Sequence, residues 1–416
     1  MAQIETKDNM KRNYKLLVLV VFIGFLVFGF SENIKGPALP RMQSDFNFNE
    51  MNLGLMLSLN SIGYLLASFY TGFLVRKWGP KVTTILAFGT MAVSGILIYL
   101  SLNVYFFSTS YFIMYLGNGM LEIALGVLAA RIFTKNTGTM MNLAHFFYGL
   151  SSAIAPLLAT FLMGSSLFGV SLGWKGMYAM MLSLCIIPML MAFFPGFPKD
   201  AALKEDKIPI KKYASDPVAW LAIIIISFGV LSEISAGGWL VYFLEKVYRW
   251  TPAASAGMLS AFFLTFTLAR LVLGPITDRI GFVKSIFIFS GFSGLCSVLG
   301  VLIGESGAFL FAVAGAGIAP VYPTVMAFLA RRYQKDSDTA VSFTVIVMGI
   351  ACVPGNFLIG AIIAAFKNIF KGIKGEQAGL IAGLQAGYLF IGACALICSF
   401  SAIYLYLLLK KRSEVL

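Results

Sequence analysis

The sequence predicts an all-α membrane protein with twelve transmembrane helices in two six-helix, pseudo-symmetric halves. Three observations carry that expectation. The 416 residues are 59% hydrophobic and only 12% charged, with a mean hydropathy of +0.86, which is too apolar for a water-soluble domain. Apolar runs of about 20 residues, the length needed to cross a bilayer, recur from end to end. The second half of the chain repeats motifs of the first in the same order.

Taken in order, the apolar segments fall near 16–39, 51–75, 82–101, 106–130, 141–167, 175–194, 216–243, 253–275, 284–303, 306–329, 340–366 and 383–409. The first is too long for a signal-peptide core and lacks a small-residue cleavage site, so it is expected to be retained. The longest polar interruption, "FPKDAALKEDKIPIKKYASD", follows the sixth segment. It divides the chain into an N-terminal half (1–196), a linker (197–215) and a C-terminal half (216–416).

A net charge of +13 raises the question of nucleic acid. The distribution of the basic residues answers it: with the N-terminus inside, 22 of the 31 Lys and Arg fall on the inner side and seven outside, while Lys35 and Arg270 lie within spans. That asymmetry is the positive-inside signature. It predicts a multi-pass protein of the cell membrane, of bacterial inner-membrane type, with both termini and the linker cytoplasmic, and leaves no need for a nucleic-acid partner.

The internal repeat is read from three anchors. "FSENIKGPAL" (Phe30 to Leu39) aligns with "LSEISAGGWL" (Leu231 to Leu240), placing Glu32 on Glu233 and Gly36 on Gly237. "GFLVRKWGPK" (Gly72 to Lys81) aligns with "GPITDRIGFV" (Gly274 to Val283), placing Gly79 on Gly281, and "GNGMLEIALG" (Gly117 to Gly126) aligns with "GAGIAPVYPT" (Gly315 to Thr324). Parallel six-helix repeats imply a transporter with a midplane site between them.

The segment Gly274-Pro-Ile-Thr-Asp278-Arg279-Ile-Gly281 resembles the loop signature of the major facilitator superfamily. The first-half copy keeps Gly72, Lys77, Gly79 and Lys81 but has Arg76 in place of the aspartate. Within that superfamily "GPALPRM", "GNGMLE", "NLAHFFYGLSSAIAPL", "SEISAGGWL" and "AGIAPVYPT" are most similar to the fucose/glucose permease branch. The resemblance implies a secondary transporter that moves a sugar or glycoside inward with protons by alternating access. It also implies that Glu122, in "GNGMLE", carries the coupling proton, and it places His145 within the fifth span.

Individual residues sharpen the expectation. A carboxylate at bilayer depth is costly and marks function by default, which singles out Glu32, Glu122 and Glu233 for proton coupling, with Glu32 and Glu233 also expected to meet substrate across one cavity. Lys35 follows Glu32 by three residues, so it serves either as an ion-pair partner or as a ligand for an anionic or hydroxyl-rich substrate. Sugars need amides and aromatic faces. The candidates are Asn33, Asn118, Asn142, His145, Tyr148, Trp239, Tyr322 and Asn356, with Asn60 and Gln385 as further in-span amides. His145, the only histidine, is weighed between substrate contact and a structural hydrogen bond. Arg76, Gly79, Arg270, Asp278 and Arg279 are assigned to the gate.

The five cysteines lie in apolar spans without metal-ligand spacing, so no metal is expected. No phosphate-cradling glycine loop is present, which argues against pumping by bound ATP. No enzyme signature or cofactor motif appears, and the expected partners are a small-molecule substrate, protons or another coupling cation, and lipid, around a monomer. Two other transport readings stay open: a flippase for a headgroup-bearing glycolipid and an exporter of drugs or organic anions. A non-transporting receptor is disfavoured by the buried acids and the repeat.

Overall fold

Inside a bilayer the backbone has no water to bond, so an apolar chain must close its hydrogen bonds within helices. The computed structural model describes residues 2–133, 137–198, 213–333, 337–412 and 414. Most of the expected linker lies outside the described residues.

The helices are α1 (Ala2–Asn33), α2 (Lys35–Phe46), α3 (Glu50–Tyr99), α4 (Val104–Ile132), α5 (Thr137–Met163), α6 (Gly173–Ser183) and α7 (Ile186–Phe193). They continue as α8 (Pro217–Val247), α9 (Pro252–Ile280), α10 (Phe282–Ile303), α11 (Phe309–Ile318), α12 (Val321–Arg332), α13 (Ser337–Lys374) and α14 (Glu376–Lys411). A small antiparallel hairpin, β1 (Ser166–Leu167) with β2 (Val170–Ser171), interrupts the series.

Among the described residues, 11 helical stretches are long and apolar enough to cross a membrane. One of them, α3, is 50 residues long and is bent at Gly79, whose φ of 80° lies in the left-handed region, with Pro80 next. Its two limbs are separate crossings, and the count becomes the twelve that the apolar segments predict. The repeat partner Gly281, at φ 91°, ends α9 in the same way. A side chain at either position would be strained, which is why the aligned loops share glycine.

Helix starts follow ordinary chemistry. Asn103, Asp216 and Thr251 sit at N-caps and accept from the backbone N–H of Phe106, Val218 and Ala254, with Pro217 and Pro252 just inside their helices.

Three crossings are broken rather than continuous. The first breaks at Ile34 between α1 and α2, where Pro37 cannot donate to the Asn33 carbonyl four residues back. The sixth breaks between α6 and α7. The tenth breaks at Ala319 and Pro320 between α11 and α12. There Pro323 deprives the Ala319 carbonyl of its helical donor, and Arg270 Nε supplies one at 3.2 Å, its guanidinium lying 4.3 Å from the Phe266 ring centroid.

The chain forms two compact units. Unit 1 comprises Met1–Lys35 and Leu59–Lys204, and unit 2 comprises Gly36–Ser58 and Glu205–Leu416. Within unit 1, α1 packs on α4 and α5, and an aromatic cluster fills the core. Phe107 meets Trp174 edge-on at 5.1 Å, and Tyr111 meets Tyr115 at 4.9 Å. Within unit 2, Phe243, Phe311 and Tyr388 form a triangle with centroids 4.8 to 5.6 Å apart. Gly36 abuts α8 so closely that a Cβ there would stand 2.6 Å from the Gly237 carbonyl oxygen. The aligned pair of glycines thus pack against one another as small residues do in membrane helices.

Candidate functional site

The break in the first crossing brings charge together. Lys35, 3% exposed, forms an ion pair with Glu32 across the Ile34 break. The Glu32 carboxylate also accepts from Asn60 Nδ2 on α3 at 3.2 Å, through Oε1, and from Asn118 Nδ2 on α4 at 2.9 Å, through Oε2. Ser31 Oγ donates to Asn118 Oδ1 at 2.7 Å, which fixes the amide's orientation. Lys35 Nζ lies 5.4 Å from the Tyr115 ring centroid, over its face, so the ammonium is shared between a carboxylate and an aromatic surface. The acid, the base and two amides from four helix segments form a nearly dry polar centre in unit 1.

Glu122 follows Asn118 by one helical turn and is half-buried on α4. On the same unit, Asn33 turns away from the acid: its Nδ2 donates to the Gly29 carbonyl and to Ser152 Oγ, both at 2.9 Å. Asn33 therefore ties α1 to α5. Tyr148 is half-buried with its ring 5.0 Å from that of Phe28, and His145 is exposed with its ring 5.0 Å from that of Phe25. The side chain of Asn142 lies outside the described residues.

In unit 2, Glu233 is half-buried on α8. Two residues on, Ser235 Oγ donates to Asn356 Oδ1 on α13 at 3.3 Å. Trp239 is 2% exposed, stands 6.1 Å from Tyr242 and has no hydrogen-bond partner for its indole N–H among the described residues. A buried indole N–H prefers a partner. Tyr322 is half-buried just past the break in the tenth crossing.

The gate candidates are dispersed. Arg76, Asp278 and Arg279 are exposed near the positive-φ glycines, and Asp278 makes no ion pair among the described residues. Arg270 is bound to the Ala319 carbonyl as described. Unit 2 carries ion pairs that no motif announced, among them Arg41 with Glu245 at 2.5 Å and Glu50 with Lys367 at 3.0 Å, the Glu50 side chain being only 3% exposed.

Among the described residues no group of three metal-ligating side chains is present. The pairing of Asn60 with Glu32 is the feature that residue spacing concealed, because 28 residues separate them and the spans contain several equivalent amides.

The Major Facilitator Superfamily model matches residues 21–356. Among curated relatives, the "Bypass of stop codon protein 6" of Saccharomyces cerevisiae is 24% identical over 64% of this chain, which spans only 58% of that protein's length. The 3-(3-hydroxy-phenyl)propionate transporter of Escherichia coli is 22% identical over 91% of this chain and 94% of its own. Among solved structures, the nucleoside transporter NupG superposes with a TM-score of 0.77 at 12% identity, covering 95% of this chain and 100% of that one. The E. coli fucose:proton symporter FucP superposes at 0.62 and 18% identity, covering 94% and 99%. Both structures share the fold.

Proposed function

Because the chain belongs to the Major Facilitator Superfamily, and is a membrane transporter, we propose that it carries a neutral sugar or glycoside inward, coupled to protons, by alternating access. The observation that carries this reading is the Glu32 centre at the break in the first crossing. Discontinuous helices at bilayer depth are where transporters of this kind bind substrate and coupling ions. Lys35 is already neutralised by Glu32, so the pair presents amide and carboxylate edges suited to hydroxyls rather than an unopposed cation suited to an anion.

In this reading Asn118, Asn60 and the Glu32 carboxylate exchange their mutual hydrogen bonds for bonds to sugar hydroxyls, and Lys35 keeps the acid neutralised meanwhile. Glu122, one turn along α4, takes up and releases the proton. On unit 2, Trp239 presents its indole N–H as a donor for substrate, with Glu233, Tyr322 and Asn356 as further candidates; on unit 1, Tyr148 and His145 are the candidates on α5. Arg76, Gly79, Asp278 and Arg279 govern the change of access. The termini are cytoplasmic and the protein sits in the cell membrane, as the distribution of Lys and Arg supports.

A second reading, an organic-anion substrate, is favoured by the E. coli relative, whose named substrate is a propionate. Lys35 must then leave Glu32 to receive a carboxylate. A thermal-shift screen of purified protein against sugars, sugar phosphates and aromatic acids identifies the class, because a ligand that binds the folded state raises its melting temperature. Lys35→Gln then decides between the readings. Modestly weakened sugar binding supports the neutral substrate; loss of all binding, with Lys35→Arg active, overturns it in favour of the anion.

A further inference from the structure

Between the fifth and sixth crossings the chain stays apolar where a turn in water would be polar. No Asp, Glu, Lys or Arg stands between Lys135 and Lys175, and the connection carries the β1–β2 hairpin. Its tip is the pair Phe168 and Gly169, with φ of 51° and 79°. A two-residue turn with both φ values positive favours Asn-Gly, and a bulky phenylalanine in the left-handed region is strained. Phe168 is also 97% exposed, so its ring gains nothing from packing within the chain.

The hairpin is amphipathic. Leu167 pairs with Val170, and Ser166 pairs with Ser171. Cross-strand partners share a face and successive residues alternate between faces, so Leu167 and Val170 occupy one face and the two serines the other. All four are exposed. The backbone closes on itself, the Leu172 N–H extending the ladder to the Ser165 carbonyl at 3.0 Å.

The apolar face continues a surface that already meets lipid. Ile154, Leu157 and Phe161 are exposed along one side of α5, at the spacing of a helical stripe that runs out at the hairpin. On the other flank Lys175 Nζ donates to the Ser101 carbonyl at 2.6 Å. That bond draws in the turn between α3 and α4, whose Leu102 and Tyr105 are exposed as well. With 27 residues, α5 is about 40 Å long at ~1.5 Å per residue and outruns the roughly 30 Å hydrocarbon core. The hairpin at its end is therefore at the level of lipid headgroups.

We propose that the β1–β2 hairpin is an interfacial anchor: it lies on the adjoining leaflet with Leu167, Phe168 and Val170 among the upper acyl carbons of phospholipids and Ser166 and Ser171 toward water. Amphipathic elements seat in this way at the headgroup boundary, aromatic side chains gather there, and a self-bonded backbone leaves few polar groups unmatched in lipid. Burial of the Phe168 ring offsets the strain of its left-handed backbone. The hairpin bears no charge, so a zwitterionic lipid is sufficient, and the anchor is independent of what the protein transports.

The test is spin-label accessibility on the full chain in phosphatidylcholine vesicles, with a nitroxide on Phe168→Cys, Val170→Cys or Ser171→Cys, one at a time. The five native cysteines are buried, and wild type treated identically corrects for any label they take. Oxygen partitions into lipid and a nickel chelate into water. Labels at 168 and 170 should be relaxed more by oxygen than by the chelate, and the label at 171 the reverse; Glu376→Cys, at an exposed position, supplies the water reference. Aspartate tolerates the left-handed turn, so Phe168→Asp keeps the hairpin and should turn the label at 170 from oxygen-dominated to chelate-dominated relaxation, whereas Phe168→Trp should not. Chelate access at 168 and 170 equal to that at 376 would place the hairpin in water. Protection of 170 from both reagents would mean that a protein surface covers it, and equal relaxation at 170 and 171 would remove the two-faced seating. Each of these results overturns the proposal.

Discussion

Glu32 accepts hydrogen bonds from Lys35, Asn60 and Asn118, which stand on three different helices. Removing one donor leaves a buried acceptor unmatched, a cost of about 1–3 kcal/mol. Asn118→Leu should therefore lower the thermal unfolding midpoint more than Asn60→Leu, because Asn118 is the donor to Oε2 and also receives Ser31, whereas Oε1 keeps Lys35 when Asn60 is gone. Calorimetry of the two variants checks the order. Glu122→Gln belongs to the same scale: it should allow exchange of substrate across proteoliposomes but no accumulation against a gradient, and unchanged proton uptake would move coupling to another acid. Spacing alone made the Glu32 and Lys35 pair legible, since three residues of separation place both on one side of a helix. It could not show that Asn33 faces Ser152 while Asn118 faces Glu32. Both are in-span amides, and only the rotation of packed helices separates a tether from a ligand.

At the scale of elements, glycine and proline carried more than helix propensity could. Aligning Gly79 with Gly281 anticipated a shared loop, and the two positive φ values give the physical reason. Gly79→Ala and Gly281→Ala should each destabilise by about 1–3 kcal/mol, the cost of a side chain at positive φ with extended ψ, a region essentially reserved for glycine, with comparable shifts in chemical denaturation. Arg270, expected in the gate, also completes the broken tenth crossing by donating to the Ala319 carbonyl. The signal was Pro323, which removes the donor that the Ala319 carbonyl needs, and Arg270→Met should accordingly destabilise the protein. A polar junction holds the far end of α12. Tyr333 donates to Asp216 Oδ2 at 2.5 Å, and burial first, then that hydrogen bond, pushes the Tyr333 phenol above its ordinary value of 10. The phenol is raised in the folded state, so its contribution is complete below about pH 10, the unfolded value, and fades as pH climbs toward the folded one. Denaturant unfolding of wild type and Tyr333→Phe should thus differ by about 1 kcal/mol at pH 8 and by less near pH 11.

For the whole molecule, composition and the spacing of apolar runs were enough to foresee twelve crossings, because lipid enforces helices and sets their length. The division into compact units was not legible in this way. Its boundaries fall at Lys35/Gly36 and Ser58/Leu59, inside crossings, where the strongest sequence signal is the polar linker far downstream. Glu50 and Lys367 belong to one unit although 317 residues separate them. A nearly dry pair that loses one member exposes the other to an uncompensated environment, at about 3–5 kcal/mol. Glu50→Gln should show that loss as a depressed melting temperature, and exchange of the two charges, Glu50→Lys with Lys367→Glu, should recover part of it.

Residues 36–58 are, in effect, on loan: encoded with the first six crossings, they are housed with the last six. A protein made as two polypeptides cut within the linker would resemble a domain swap, the first fragment threading a helical arm into the second. Residues 216–416 made alone would leave Glu245 and Lys367 facing an empty berth, and would be expected to aggregate or be degraded. Co-expression with residues 1–196 should rescue them, and rescue should fail when the arm carries Arg41→Glu and Glu50→Lys together, which would place like charges opposite both hosts.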